Sequence, residues 1–85
     1  MEKENRIASA LITIDKDSMD IPVVNSALHE FSPYIIARQG LSLPSKRFNI
    51  ITIILESQLN TINSFAGKIG QIKGANIKVL IEKNI

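Results

Sequence analysis

The chain has 85 residues, a formal net charge of +2, 45% hydrophobic residues and 21% charged residues, which is the balance of one globular domain. A domain of this size buries only about 60% of the surface that its unfolded chain exposes. Its core alone therefore gives a marginally stable fold, and a further source of stability is expected. With no cysteine and a single histidine, the sequence excludes disulfides, thiolate metal sites and an imidazole cluster within one chain. We therefore predict no metal and no cofactor. Oligomerisation, which buries additional surface, is the remaining way to stabilise the fold.

The beginning of the chain bears on its cellular location. The first residues, MEKENR, are mostly charged, and no apolar run of signal-peptide or transmembrane length follows them. This pattern predicts a cytoplasmic protein with no membrane partner. The basic residues are scattered and their excess is small, so direct binding to nucleic acid is not expected.

The first half of the chain predicts a strand and a helix. After a flexible start at residues 1–5, the segment RIASALITI (6–14) alternates between two faces as a strand does. Asp20 is the predicted N-cap of the helix, because a proline is tolerated in the first turn, and Ser18 is the rival cap. Ser32-Pro33 ends the helix. Apolar residues at helical spacing predict its buried stripe: Ile21, Val24, Leu28 and Phe31.

The second half predicts three strands and another helix. The segment YIIARQG (34–40) is a strand that ends at a glycine, and RFNIITIILES (47–57) is a strand that is apolar on both faces. Ser57 is the predicted cap of the second helix, which ends at Gly74, where a positive φ angle is needed. The segment ANIKVLIEK (75–83) is the last strand.

The order of these elements, βαββαβ, predicts the fold. With right-handed crossovers it favours a single α+β domain, a ferredoxin-like sandwich in which two helices cover one face of a four-stranded antiparallel sheet. The first and third strands are then central. The other face of the sheet would expose isoleucine and leucine to water, which predicts a second copy of the chain as its cover. Both alternating sets of the third strand are apolar, so the interface is assigned without deciding between them: Ile50, Ile51, Ile53 and Ile54.

The chain offers few residues for chemistry. No arrangement of serine, histidine and aspartate has a catalytic motif around it, so we predict no catalytic residue and no enzyme. His29 lies one residue beyond the buried stripe, which favours a solvated side chain. The acidic loop DKDSMD (15–20) lacks the glycine and glutamate of an EF-hand, so its aspartates are interpreted as capping and solvated groups. The glycines of GKIGQIKG (67–74) do not form a phosphate loop, and close packing of helix on sheet is the favoured interpretation.

One polar cluster is a candidate ligand site. Arg38, Gln39 and Gly40 are predicted to lie near Lys46 and Arg47 at the ends of the central hairpin. Arginine binds carboxylates and phosphates well, so the site is assigned to Arg38, Gln39 and Gly40. The alternative is that these charges only cap exposed strand ends. RNA-binding domains share the βαββαβ order, but the central strands here contain a single aromatic residue.

Two segments resemble a known family. VNSALHEFSPYIIARQGL (24–41) and NIITIILESQLNTINSFAGKIGQIKGANIKVLI (49–81) are similar to the small ACT-like, ferredoxin-fold regulators of the iron-only hydrogenase system. The resemblance covers about residues 6–83 and implies one ACT-like domain over residues 1–85. It also implies a non-enzymatic homo-oligomer, with a small-molecule effector at a subunit interface and a protein partner.

The sequence departs from this family in one loop. Members carry a Pro-Tyr pair shortly after the glycine that corresponds to Gly40, whereas Ser42-Leu43 stands here and Pro44 follows. The alternative function is a structural or protein-interaction module without a small ligand. A more distant alternative is an acylphosphatase-like enzyme of the same fold, which is disfavoured because the loop at 15–20 has no arginine to hold phosphate.

Overall fold

The computed structural model describes residues 4–82. Within that range the elements follow one another as β1 (Arg6–Asp15), α1 (Ile21–Glu30), β2 (Ile35–Ser42), β3 (Phe48–Ser57), α2 (Leu59–Gly70) and β4 (Ala75–Glu82), with a short 3₁₀ helix at Ser32–Tyr34. The predicted flexible start lies partly outside the described residues, and so does Lys83 at the end of the predicted last strand. Neither α-helix of residues 4–82 is long and apolar enough to cross a membrane.

The four strands form one antiparallel sheet in the order β2-β3-β1-β4. This order confirms the predicted α+β, ferredoxin-like fold and the central position of the first and third strands. The longest ladder joins those two strands and runs from Arg6 opposite Ser57 to Asp15 opposite Phe48. The sheet is therefore organised around the pair formed by β1 and β3.

Both helices pack on the same face of the sheet. The core between them and the sheet takes every second residue of β1 and the inward stripes of α1 and α2. The rings of Phe31 and Phe65 meet edge to face, with centroids 5.3 Å apart, and join the end of α1 to α2. The largest fully buried side chains of the described residues are Ile12, Val24, Leu28, Ile53, Leu55, Ile62, Phe65 and Ile69. The predicted stripe of α1 is thus confirmed: Val24, Leu28 and Phe31 are buried, and Ile21 packs against the core.

The two helix starts differ in how well they were predicted. Asp20 is the N-cap residue of α1, although the cap is made without a side-chain hydrogen bond; its own N–H donates to Ser18 Oγ at 3.0 Å. The prediction for α2 was wrong by one residue, because Gln58 is the N-cap. Ser57 stays in β3, buried and paired with Arg6, so it is not available to cap the helix.

Gly74 has a φ angle of 84°, which confirms the predicted positive φ. The helix ends earlier than predicted, at Gly70, so Gly74 forms the turn into β4. Its carbonyl oxygen accepts a hydrogen bond from the Asp15 N–H at 3.0 Å. The turn before β4 is thereby tied to the end of β1.

The other two glycines of GKIGQIKG lie within α2. At Gly67, apart from the adjacent residues and the backbone of the same helix, no atom of residues 4–82 lies within 4 Å of the position that a Cβ would take. At Gly70 the nearest such atom is Ile77 Cγ2 at 3.8 Å, an ordinary contact. Close packing of helix on sheet therefore does not explain either glycine, and that interpretation was wrong.

Candidate functional sites

The alternation of β3 decides which of its isoleucines meet the helices. Ile53 is fully buried in the core and Ile51 packs against the core, whereas Ile50 and Ile54 point to the other side of the sheet. Ile51 lies opposite Ile12 on β1, and Ile12 is itself fully buried. The predicted interface set is corrected accordingly: Ile51 and Ile53 belong to the core of a single chain, and Ile50 and Ile54 remain as interface candidates.

The sheet side away from the helices is called the uncovered face, and all four strands contribute exposed apolar side chains to it. The exposed fractions are 77% for Leu80, 45% for Leu41, 43% for Leu11 and 36% for Ile54. Ser9 lies between Ile54 and Leu80 in the two neighbouring ladders. A depression of about 390 Å³ opens there, bounded by these two side chains and Leu11.

Three of these side chains were missed by sequence reasoning. Leu11, Leu41 and Leu80 were not assigned to the interface, although each sits at an alternating position of its strand. The signal for Leu11 was present, since the sequence places it on the face of β1 opposite Ile12. Leu41 and Leu80 could be placed only through the register, which pairs Leu41 with Ile50 and Leu80 with Ser9.

The uncovered face also carries charges near one edge. Lys78 and Glu82 lie on β4, two residues to either side of Leu80, and their side chains share its side of the sheet. Both are exposed. A lysine and a glutamate placed evenly about an apolar residue form a pattern that is complementary to its own reversed copy.

The three residues of the predicted ligand site are divided between the two faces. Arg38 is paired with Ile53 and Gly40 with Ile51, so both lie on the helix side. Gln39 is paired with Thr52 on the uncovered face, and its carbonyl oxygen accepts a hydrogen bond from Thr52 Oγ1 at 3.5 Å. Because successive strand side chains point to opposite faces, the Gln39 side chain lies on the other side of the sheet from Arg38 and Gly40.

A hollow of about 550 Å³ lies beside Arg38, between β2 and the second half of α1. We call it the Arg38 hollow. Arg38 Nη2 donates to Asn25 Oδ1 on α1, at a long 3.5 Å. His29 follows Asn25 by four residues on the same helix face and is exposed, as predicted. The residues that line the hollow are Asn25, Leu28, His29, Ser32, Ile35 and Arg38.

The other predicted cations lie at the opposite end of β2. Arg47 Nη2 is 3.8 Å from Asp15 Oδ2 and 3.7 Å from Asp17 Oδ2, in a solvent-exposed arrangement of small energetic weight. Arg47 therefore faces the acidic loop instead of Arg38, and the predicted polar cluster does not assemble. Within residues 4–82 no group of three or more histidine, aspartate and glutamate side chains is placed to hold a metal ion.

The chain is similar to a protein of known structure and to one protein family. Uncharacterized protein TM1266 from Thermotoga maritima has a solved structure that matches with a TM-score of 0.89 and 31% sequence identity, over 94% of this chain and 100% of that one. A comparison with curated proteins found no match. The sequence profile of the TM1266-like family matches residues 6–79. The chain therefore belongs to the TM1266-like family, whose description is "Iron-only hydrogenase system regulator, putative".

Proposed function

We propose that the chain is a non-enzymatic regulatory domain of the iron-only hydrogenase system that acts as a homo-oligomer. The observation that carries the proposal is the uncovered face, to which each of the four strands contributes an exposed apolar side chain. Three of these side chains, Leu11, Ile54 and Leu80, border a depression. Full burial of a leucine or isoleucine side chain contributes about 1.5–3 kcal/mol. Several such side chains on each of two subunits contribute on the order of 10 kcal/mol before the cost of association.

The charges at the edge of the same face support a second copy as its cover. Consider a two-fold axis that runs parallel to the plane of the sheet and perpendicular to its strands, above the row that contains Ser9 and Leu80. This axis would place Leu80 against its own copy. Lys78 of each subunit would then lie opposite Glu82 of the other, since the two residues are equally distant from Leu80 along β4. A different partner would need its own matching pattern, whereas a second copy supplies it by symmetry.

The proposal includes a response to a small ligand, in keeping with an ACT-like regulator. A second candidate function is an interaction module without a small ligand, and the division of Arg38 and Gln39 between two faces favours it. A thermal-shift screen with amino acids, nucleotides and organic acids separates the two, because a ligand that binds only the folded state raises the melting temperature. A saturable rise supports ligand sensing, and an intact oligomer that none of the compounds stabilises supports the interaction module.

The oligomer is tested with one variant on the uncovered face and one control. Leu80→Glu places a carboxylate on the proposed two-fold axis, against its own copy, and sedimentation should show a decrease in mass to that of one chain. Val23→Glu is the matched control, because Val23 is 49% exposed on α1, on the other side of the molecule. Equal masses for the two variants would argue against the uncovered face as the interface.

A further inference from the structure

The Arg38 hollow combines an apolar floor with a polar rim. The half-buried Ile35 is the accessible part of the floor, and Leu28, which also lines the hollow, is already almost fully buried by its own chain. Arg38, His29 and Ser32 lie on the rim and are exposed, together with Asn25. Small-molecule sites in proteins commonly have this composition, in which apolar contacts hold the body of a ligand and a few polar groups orient its head.

The charge of the hollow is positive. No residue that lines it, among those the structure describes, is an aspartate or glutamate. Within residues 4–82, the Arg38 guanidinium has one side-chain partner, the neutral oxygen of Asn25 at 3.5 Å. Other cations near α1 and β3 face carboxylates: Lys68 pairs with Glu30, and Arg47 faces the acidic loop. Arg38 is therefore free to take an anion.

The remaining donors surround the same space. Because Asn25 Oδ1 accepts from Arg38, its amide NH₂ retains both of its hydrogens for other acceptors. His29 and Ser32 add a ring N–H and a hydroxyl to the rim. Farther along β2, on the same side as Arg38, no described neighbour lies within 4 Å of the position that a Cβ would take at Gly40, so there is free space beside that residue as well.

We propose that the Arg38 hollow binds a small monocarboxylate with an aliphatic or aromatic body. The guanidinium pairs with the carboxylate in a two-pronged arrangement, and the body covers the accessible part of Ile35. An inorganic oxyanion would pair with Arg38 but leave that floor uncovered, so it should bind more weakly. This inference deepens the ligand sensing proposed above; since one chain supplies the whole hollow, it does not depend on the oligomer.

The test is a titration of the full ¹⁵N-labelled chain followed by NMR. The probes are isovalerate and phenylacetate, with phenylacetamide as the uncharged match of the second and inorganic phosphate as the oxyanion. We expect saturable shifts of the amides around Arg38 and Asn25 with both carboxylates, weaker shifts with phosphate, and none with phenylacetamide. Arg38→Gln should weaken carboxylate binding at least about tenfold. Arg47→Gln is the control, since it removes an exposed arginine in the connection between β2 and β3, away from the hollow, and it should leave binding unchanged.

Each contrary result overturns the inference. These results are no saturable shift with either carboxylate, shifts that cluster away from the hollow, tighter binding of phosphate, or equal affinities in Arg38→Gln and the unchanged chain. The Leu80→Glu variant separates this test from that of the oligomer. If Leu80→Glu is a monomer and still binds the carboxylates, the hollow functions without the oligomer. If the unchanged protein is an oligomer but binds neither carboxylate, the monocarboxylate proposal is refuted and the proposed oligomer is not.

Discussion

Gly74 lies directly against Ser18: a Cβ atom added at Gly74 would be 2.8 Å from Ser18 Oγ and 3.2 Å from Ser18 Cβ. Gly74 also has a positive φ angle, which costs other L-residues about 1–2 kcal/mol. Gly74→Ala should therefore lower the free energy of unfolding by at least about 1 kcal/mol. Urea denaturation measures it, and an unchanged midpoint would show that the turn before β4 adjusts freely.

Gly67 provides the opposite case within the same motif. It lies in α2, where no described neighbour would meet a Cβ, and alanine is favoured over glycine in a helix interior by about 1 kcal/mol. Gly67→Ala should therefore raise the free energy of unfolding by up to about 1 kcal/mol. The same urea titration checks this. A loss of stability at the concentration where the protein is oligomeric would place a contact with another chain on this side of α2.

The two faces of β3 should respond differently to charge. Ile53→Lys buries an unpaired ammonium group in the core, a change that a domain with a stability of about 5–15 kcal/mol does not tolerate. Ile50→Lys places the same charge on the uncovered face, where it should separate subunits and leave the strands and helices formed. Circular dichroism and size-exclusion chromatography distinguish the outcomes. If the two variants lose structure equally, the assignment of faces is wrong.

The alternation of residues in β3 identified the strand from the sequence, but it could not show which set of its side chains faces the helices. Both of its residue sets are apolar, so the choice between Ile51 and Ile50 as the inward residue depends on the register with β1. In β1 the two sets do differ, since Ser9 and Thr13 interrupt one of them. That difference could have identified the inward face of β1, although no face was assigned from the sequence, and the ladder that pairs Ile12 with Ile51 is needed to transfer the assignment to β3.

The ligand site was predicted less well, for two separate reasons. Adjacent strand residues such as Arg38 and Gln39 point to opposite faces, so period-two reasoning could have divided them from the sequence alone. The partners of Arg38 in the hollow could not be found that way, because Asn25 and His29 come from α1 and their proximity depends on how that helix packs beside β2. Their spacing of four residues was the only sequence signal.

The mass of the native protein in solution tests the central claim most directly, because a covered sheet face requires a second chain. One chain has a mass of 9.4 kDa. Multi-angle light scattering of the unmodified protein at micromolar concentration should give a mass of at least two chains, and Leu80→Glu should reduce it. A mass of one chain for the unmodified protein at that concentration would contradict the account.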